Sequence, residues 1–194
     1  MTNEQLQLLL TEKFGDQLTN WQEPYGMLTF TAPKELNLKV MQFLYDDAGF
    51  RFLTDLQAVH YPNNKGAELA VVYHLHNLTD NVRIRFKVYT DITTPDVFSA
   101  TALFSAANWM ERETYDFYGV NFVGHPNLIR VLNVDEMDYF PMRKEYPLED
   151  QTRIDKDDEM FGRGGLSGFG IEKVEPRNSI AEDEKPEVDR EKEI

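Results

Sequence analysis

The chain's 194 residues predict an α+β two-layer sandwich: a mostly antiparallel or mixed sheet with helices on one face, followed by an extended C-terminal tail. Three observations lead there. Periodicities of 3.6 and 2 residues succeed one another in the order helix, strand, helix, three strands, helix, strand. Residues 82–90 alternate strictly, with Val82, Ile84, Phe86 and Val88 on one side and Arg83, Arg85 and Lys87 on the other. Such a strand belongs to a sheet with one buried and one polar face. After residue 147 the apolar periodicity ends, so residues 1–147 form the domain and 148–194 an acidic, glycine-containing tail.

Thr2 or Asn3 caps a first helix whose stripe is Leu6, Leu9, Leu10 and Phe14, with Gly15 as its stop. Residues 25–31 form a strand, and Pro33 breaks the chain. Leu36, Val40, Phe43 and Leu44 recur at helical spacing up to Asp47, and Gly49 ends that helix. Strands follow at 52–61, 67–78 and 82–90. The second turn, Thr79-Asp80-Asn81, is so short that its flanking strands pair as an antiparallel hairpin. Thr94 or Asp96 caps a long third helix with Pro95 in its first turn, reaching Phe117 and stopping near Gly119.

Composition excludes several functions. A net charge of -14 argues against nucleic acid as a partner. With no cysteine, the chain cannot supply a thiolate to zinc or to an iron–sulfur cluster. No apolar run reaches the roughly 20 residues a membrane helix needs, and the N-terminus has neither secretion-signal nor transit-peptide layout. The expectation is a cytosolic chain that can still join a membrane complex. The tail carries 15 acids and 8 bases. Its spaced Phe161, Leu166 and Phe169 suit ordering on partner subunits, and its last residues are expected to be disordered.

Chemistry-bearing residues concentrate in 108–147. Glu111, Arg112, Glu113 and Asp116 crowd one helix end, where three acids meet an unfavourable helix potential. Arg112 and Asp116 stand four apart and can pair. His74 and His76 share one face of a strand, which permits either half-buried histidines or a metal pair completed by Glu111, Glu113 or Asp116. The latter would make a small metal hydrolase. The Arg83, Arg85, Lys87 stripe is either a solvated face or an anchor for an acidic partner. No G-x-S-x-G, H-E-x-x-H or Walker motif is present. By contrast, Trp109, Tyr115, Phe117, Tyr118, Tyr139, Phe140 and Tyr146, with Arg112, Arg130 and Arg143, are types enriched at interface hot spots.

Taken together, Glu111-Arg112-Glu113, Asp116 with two following aromatics, Gly119, and Phe122-x-Gly-His125-Pro126 resemble the signature of the 30-kDa subunit family of respiratory complex I. In bacteria these are the C-type subunits of NADH-quinone oxidoreductase. Arg130-Val-Leu132 and Pro141-Met-Arg143-Lys144-Glu-Tyr146-Pro147 continue the match, as do residues 53–62 and 72–75 upstream. His60, Ile129 and Met142 depart from the family's usual residues. The resemblance implies a chain with no catalytic, cofactor or metal residues of its own. FMN, iron–sulfur clusters and quinone would sit on other subunits of a complex that passes electrons from NADH to quinone and translocates ions. It implies packing against the 49-kDa (D-type) subunit and the B- and I-type subunits of the quinone module. The resemblance also admits the G-type subunit as a neighbour and implies a place on the cytoplasmic side of a bacterial membrane. The signature residues, Trp109 and Tyr118 included, would be the interface, with Arg112, Arg130 and Arg143 pairing across it. Equivalent subunits serve ferredoxin- and hydrogenase-linked relatives, so the donor stays open at this point.

Overall fold

A computed structural model describes residues 1–146; Pro147 and the whole tail, with the expectations attached to them, lie outside the described residues. Helix α1 (Asn3–Phe14) begins in a reciprocal cap. The Thr2 hydroxyl accepts from the Gln5 N–H at 3.3 Å, and the Gln5 side chain accepts from the Thr2 N–H at 3.0 Å. Strands β1 (Thr19–Gln22) and β2 (Leu28–Ala32) form an antiparallel ribbon, and α2 (Asn37–Asp46) follows. Then come β3 (Phe52–His60), β4 (Leu69–Asn77) and β5 (Val82–Thr90).

The five strands form one sheet in the order β1-β2-β5-β4-β3. β3, β4 and β5 make an antiparallel meander, while β2 joins β5 in parallel, with Phe30 beside Phe86. The sheet is therefore mixed. One face is apolar: Phe30, Leu56, Tyr73, Leu75, Ile84 and Phe86 share a core with Leu6 and Leu10 of α1 and Val40 and Leu44 of α2. The other face carries Arg83, Arg85, Lys87 and His74. The expected architecture is what the chain adopts.

Two expectations need correction. β1 went unseen, because its sequence TNWQ lacks alternation and three of its four residues are exposed. The strand expected at 25–31 starts three residues later, since Pro24–Gly26 is a 3-10 turn in which Tyr25 takes φ 55°. The second correction is larger: the long third helix does not exist. Residues Asp96–Phe98 are strand β6, which pairs in parallel with β7 (Asn121–Val123). Helix α3 spans only Ala107–Tyr118. The buried Asn37 side chain of α2 donates to the Phe98 carbonyl at 2.8 Å, and Ser99 N–H donates to the Val123 carbonyl at 2.9 Å. These long-range bonds outcompete the local helix signals of Pro95 and the alanines.

Phe86 lies at the centre, stacked between Phe30 at 5.5 Å and Tyr73 at 4.7 Å and wholly buried. Truncating it to alanine leaves a cavity between three strands. We expect Phe86→Ala to cost about 3–5 kcal/mol in urea unfolding of the full chain, whereas Phe86→Leu should cost clearly less. Equal losses would show that the site relaxes around either change.

Candidate docking surface

α3 carries the residues that organise everything after it. Its last four carbonyls have no partner within the helix, yet each finds one. Tyr115 O accepts from the Gly119 N–H at 2.8 Å and Phe117 O from the Met142 N–H at 3.2 Å. Asp116 O accepts from Arg130 Nη1 at 3.0 Å, and Tyr118 O accepts from Arg143 Nε at 2.8 Å. Two guanidinium groups thus sit at the negative end of the helix, which offsets the local cost of its acids. Gly119 makes this closure possible, with φ 76°. A Cβ there would lie 2.5 Å from the Phe140 ring and 2.7 Å from Arg143 Nη2.

The Asp116 carboxylate is fully buried and accepts five hydrogen bonds. Arg130 Nη1 donates at 2.8 Å, the N–H groups of Val131, Leu132 and Asn133 at 2.8–3.0 Å, and Asn133 Nδ2 at 3.0 Å. Burial alone would raise its pKa. The bonds from Asn133, Leu132 and Arg130 outweigh burial and hold the carboxyl well below the usual carboxylate range. Arg130 spends its other nitrogen on the Met137 and Tyr139 carbonyls at 2.7 and 3.2 Å. Its guanidinium and that of Arg143 lie over the Phe140 ring at 5.2 and 4.6 Å. Residues 124–146 hold little regular structure, and this hub gives them a fixed path.

Glu111, more than one turn before Asp116 on the same helix, meets the opposite environment. It is fully buried and accepts from Ser99 Oγ at 2.7 Å and the Ala100 N–H at 2.6 Å. Among the described residues no cation pairs with it. Burial raises its pKa to about 7 against those two bonds. Glu113, by contrast, is exposed.

The expected pairing of Arg112 with Asp116 is not formed, because Arg130 occupies that carboxylate. Instead Arg112 lies over the exposed Trp109 ring at 4.7 Å and donates to the Ile129 and Arg130 carbonyls at 3.2 and 3.3 Å. Arg112 thereby links Trp109 to the Ile129 backbone, and further along the same loop, past the pinned amides at 131–133, Leu132 and Val134 are exposed. Trp109, Leu132 and Val134 are each at least 60% exposed. The remaining signature residues brace this loop. His125 Nδ1 accepts from the Asn127 N–H at 3.0 Å, so Nε2 carries the proton and donates to the Asn108 carbonyl at 3.1 Å. His60 Nδ1 accepts from the Lys144 N–H at 2.9 Å. Tyr139 and Tyr146 pair at 4.9 Å, Pro126 and Lys144 are exposed, and Pro141 is half-buried. Thus Arg130 and Arg143 serve the fold of this chain, whereas Arg112, besides bracing the 129–130 backbone, stacks on the exposed Trp109 ring. Sequence reasoning missed Ser99, Ala100 and Asn133. Two of them act wholly or partly through backbone N–H groups, which any residue type supplies.

His74 and His76 do not join Glu111 or Asp116. β4 alternation turns them away from Tyr73 and the core that α3 covers. His74 Nδ1 sits 3.5 Å from Asp55 Oδ2, and His76 Nε2 pairs with Asn81 Oδ1 at 3.2 Å. Burial, then Arg85, lowers the His74 pKa against the pull of Asp55. No group of three or more His, Asp or Glu that could hold a metal occurs among the described residues.

Residues 30–152 match the family described as respiratory-chain NADH dehydrogenase, 30 Kd subunit. The chain belongs to this family. It is 40% identical to the C-type subunit of NADH-quinone oxidoreductase from Citrifermentans bemidjiense, over 78% of this chain and 93% of that one. The corresponding C-type subunit of Caulobacter vibrioides is 44% identical over 70% and 69% of the two chains. Among solved structures, the trypsin-resistant fragment 1-134 of Nqo5 aligns with a TM-score of 0.57 at 31% identity, covering 63% of this chain and 98% of the fragment. A chain of an archaeal membrane-bound sulfane sulfur reductase shares the fold, with a TM-score of 0.65 at 21% identity. Among the described residues no helix is long and apolar enough to cross a membrane.

Two titrations follow. Asp116→Asn turns an amide toward five donors and leaves Arg130 without its charge partner, so unfolding should become easier by about 3–5 kcal/mol near pH 7. The depressed Asp116 pKa contributes stability above its ordinary 3.8 that is lost as pH falls below it, and the variant should lack this acid limb. Glu111 has the opposite sign. Between its ordinary 4.5 and about 7 the folded chain binds the extra proton, so stability drains away as pH rises through that window. Glu111→Gln should match wild type near pH 4.5 and exceed it above pH 7 by on the order of 3 kcal/mol. Urea midpoints across pH 2–8 measure both, the Asp116 limb below about pH 4 and the Glu111 limb between about pH 4.5 and 7, and a pH-independent difference in either window would refute the assignment for that residue.

Proposed function

We propose that this chain is a positioning subunit, without a reaction centre of its own, in the hydrophilic arm of a complex I-type NADH:quinone oxidoreductase. It seats against the 49-kDa (D-type) subunit and the neighbouring B- and I-type subunits. FMN, iron–sulfur clusters and quinone reside on those and other subunits, and the chain meets the cytoplasmic side of the bacterial membrane only through them. The observation that carries this reading is the exposed Trp109 stacked on Arg112 and tied to the Ile129 backbone, with Leu132 and Val134 exposed further along the same loop. Large apolar side chains stand in solvent on a loop that Asp116 and Arg130 hold in place. A preformed apolar surface with a central Trp–Arg stack loses little entropy on docking, and Trp and Arg are the residue types that dominate interface energy. Family membership supplies the kind of assembly.

The double variant Trp109→Ala/Arg112→Ala tests this in the full-length tagged chain, purified in mild detergent from its native membranes. Wild type should bring down a large assembly with flavin and iron–sulfur absorption. The variant should lose at least tenfold of that recovery while its urea midpoint stays near wild type. An undiminished assembly would refute the surface, and a wild-type chain recovered without other subunits would refute the role.

A further inference from the structure

The sheet face on which no helix packs among the described residues carries a cationic row distinct from the Trp109 surface. Arg83, Arg85 and Lys87 point to that face from β5, whose alternate residues Ile84, Phe86 and Val88 are fully buried. β5 is the middle strand of five. Charges that guard a free sheet edge against aggregation do not account for cations in a sheet's centre. Register shows what surrounds the row. Arg85 lies between Thr29 of β2 and His74 of β4, and beyond His74 stands Asp55 of β3. Arg85 Nε donates to Thr29 Oγ1 at 3.2 Å, a neutral partner. Lys87 lies between Thr31 and Val72, and Arg83 beside His76. Among the described residues none of the three forms a salt bridge. Asp55 is the one carboxylate in these rows and lies two strands from Arg85, roughly 10 Å by strand spacing.

Within a chain of net charge -14, three cations aligned at about 6.6 Å intervals repel one another without local compensation. We propose that this face is a second docking surface, and that its occupant is a helix of another subunit carrying carboxylates four residues apart. Such carboxylates recur about every 6 Å along a helix, within side-chain reach of the two-residue repeat of the strand. A helix laid there flanks the exposed Gln57, which lies beside Val72 in the register. Charge complementarity selects the partner, and the alternation of β5 fixes the direction in which it lies. The residues differ from those of the Trp109 patch, so the two surfaces fail or stand separately. This inference uses the assembly reading only for the choice of sample.

The test places a photoreactive p-benzoylphenylalanine at Gln57 in the full chain, within cells that assemble it on the native membranes, and identifies the cross-linked peptide by mass spectrometry. The expected product joins Gln57 to a segment of another chain with Asp or Glu at i and i+4. Arg85→Glu/Lys87→Glu should cut its yield at least fivefold with the urea midpoint unchanged. If the charge reversal unfolds the domain, Arg85→Gln/Lys87→Gln replaces it, with the same expected direction. Cross-links to lipid, to residues 148–194 of the same chain or to a segment without spaced acids would overturn the proposal, as would no product above the unirradiated control. Loss of the cross-link in the Trp109→Ala/Arg112→Ala variant alone would instead report failure of assembly.

Discussion

The last sixth of the described fold, residues 124–146, depends on how the Asp116 carboxylate is solvated. Three consecutive backbone N–H groups, one amide and one guanidinium replace water around it, and four of these five donors come from a span of three residues. A chain without helix or strand has no ladder to fix its path. Here an anion on a rigid helix does that work, and the loop coils around the charge. The same contacts dictate what the loop displays. With the N–H groups of 131–133 turned inward, Val131 and Leu132 are left in solvent. Burial of one charge and exposure of an apolar surface are two sides of a single arrangement.

Much of the frame was legible. The β3–β4–β5 meander reads directly from alternation and turn residues, because each pairing is between neighbours in sequence and its register follows from which face is apolar. The parallel joining of β2 to β5 was not readable, since nothing local in Leu28–Ala32 names a partner more than fifty residues away. At 94–106 local signals misled. Pro95, Leu103 and several alanines favour helix, but the Phe98 carbonyl is claimed by Asn37 and the Ser99 N–H by Val123. The signature between 109 and 146 announced its importance without announcing its form. Arginine and aspartate look the same in sequence whether they face a partner or each other. Arg130 and Asp116 face each other, whereas Trp109 remains outward with Arg112 stacked on it.

Two acids on one helix show how environment assigns chemistry. Asp116 meets five donors and stays ionised even when fully buried. Glu111 meets two and, among the described residues, no cation, so burial raises its pKa to about 7. Net charge counts them alike, yet one ties down the loop and the other joins α3 to the turn after β6 at Ser99 and Ala100.

The parallel seam between β2 and β5 also sets a timetable. A ribosome adds about 5–20 residues per second, and β5 is complete only when Thr90 has been made. Leu28, Phe30 and Ala32, buried in the finished domain, therefore wait several seconds before their second hydrogen-bonding strand exists. α1 and β1 can shelter them in that interval, since both precede β2 in the chain and α1 packs into the same core. Because α1, β1 and β2 all precede β5 in the chain, the parallel seam is the last pairing of β2 that synthesis allows.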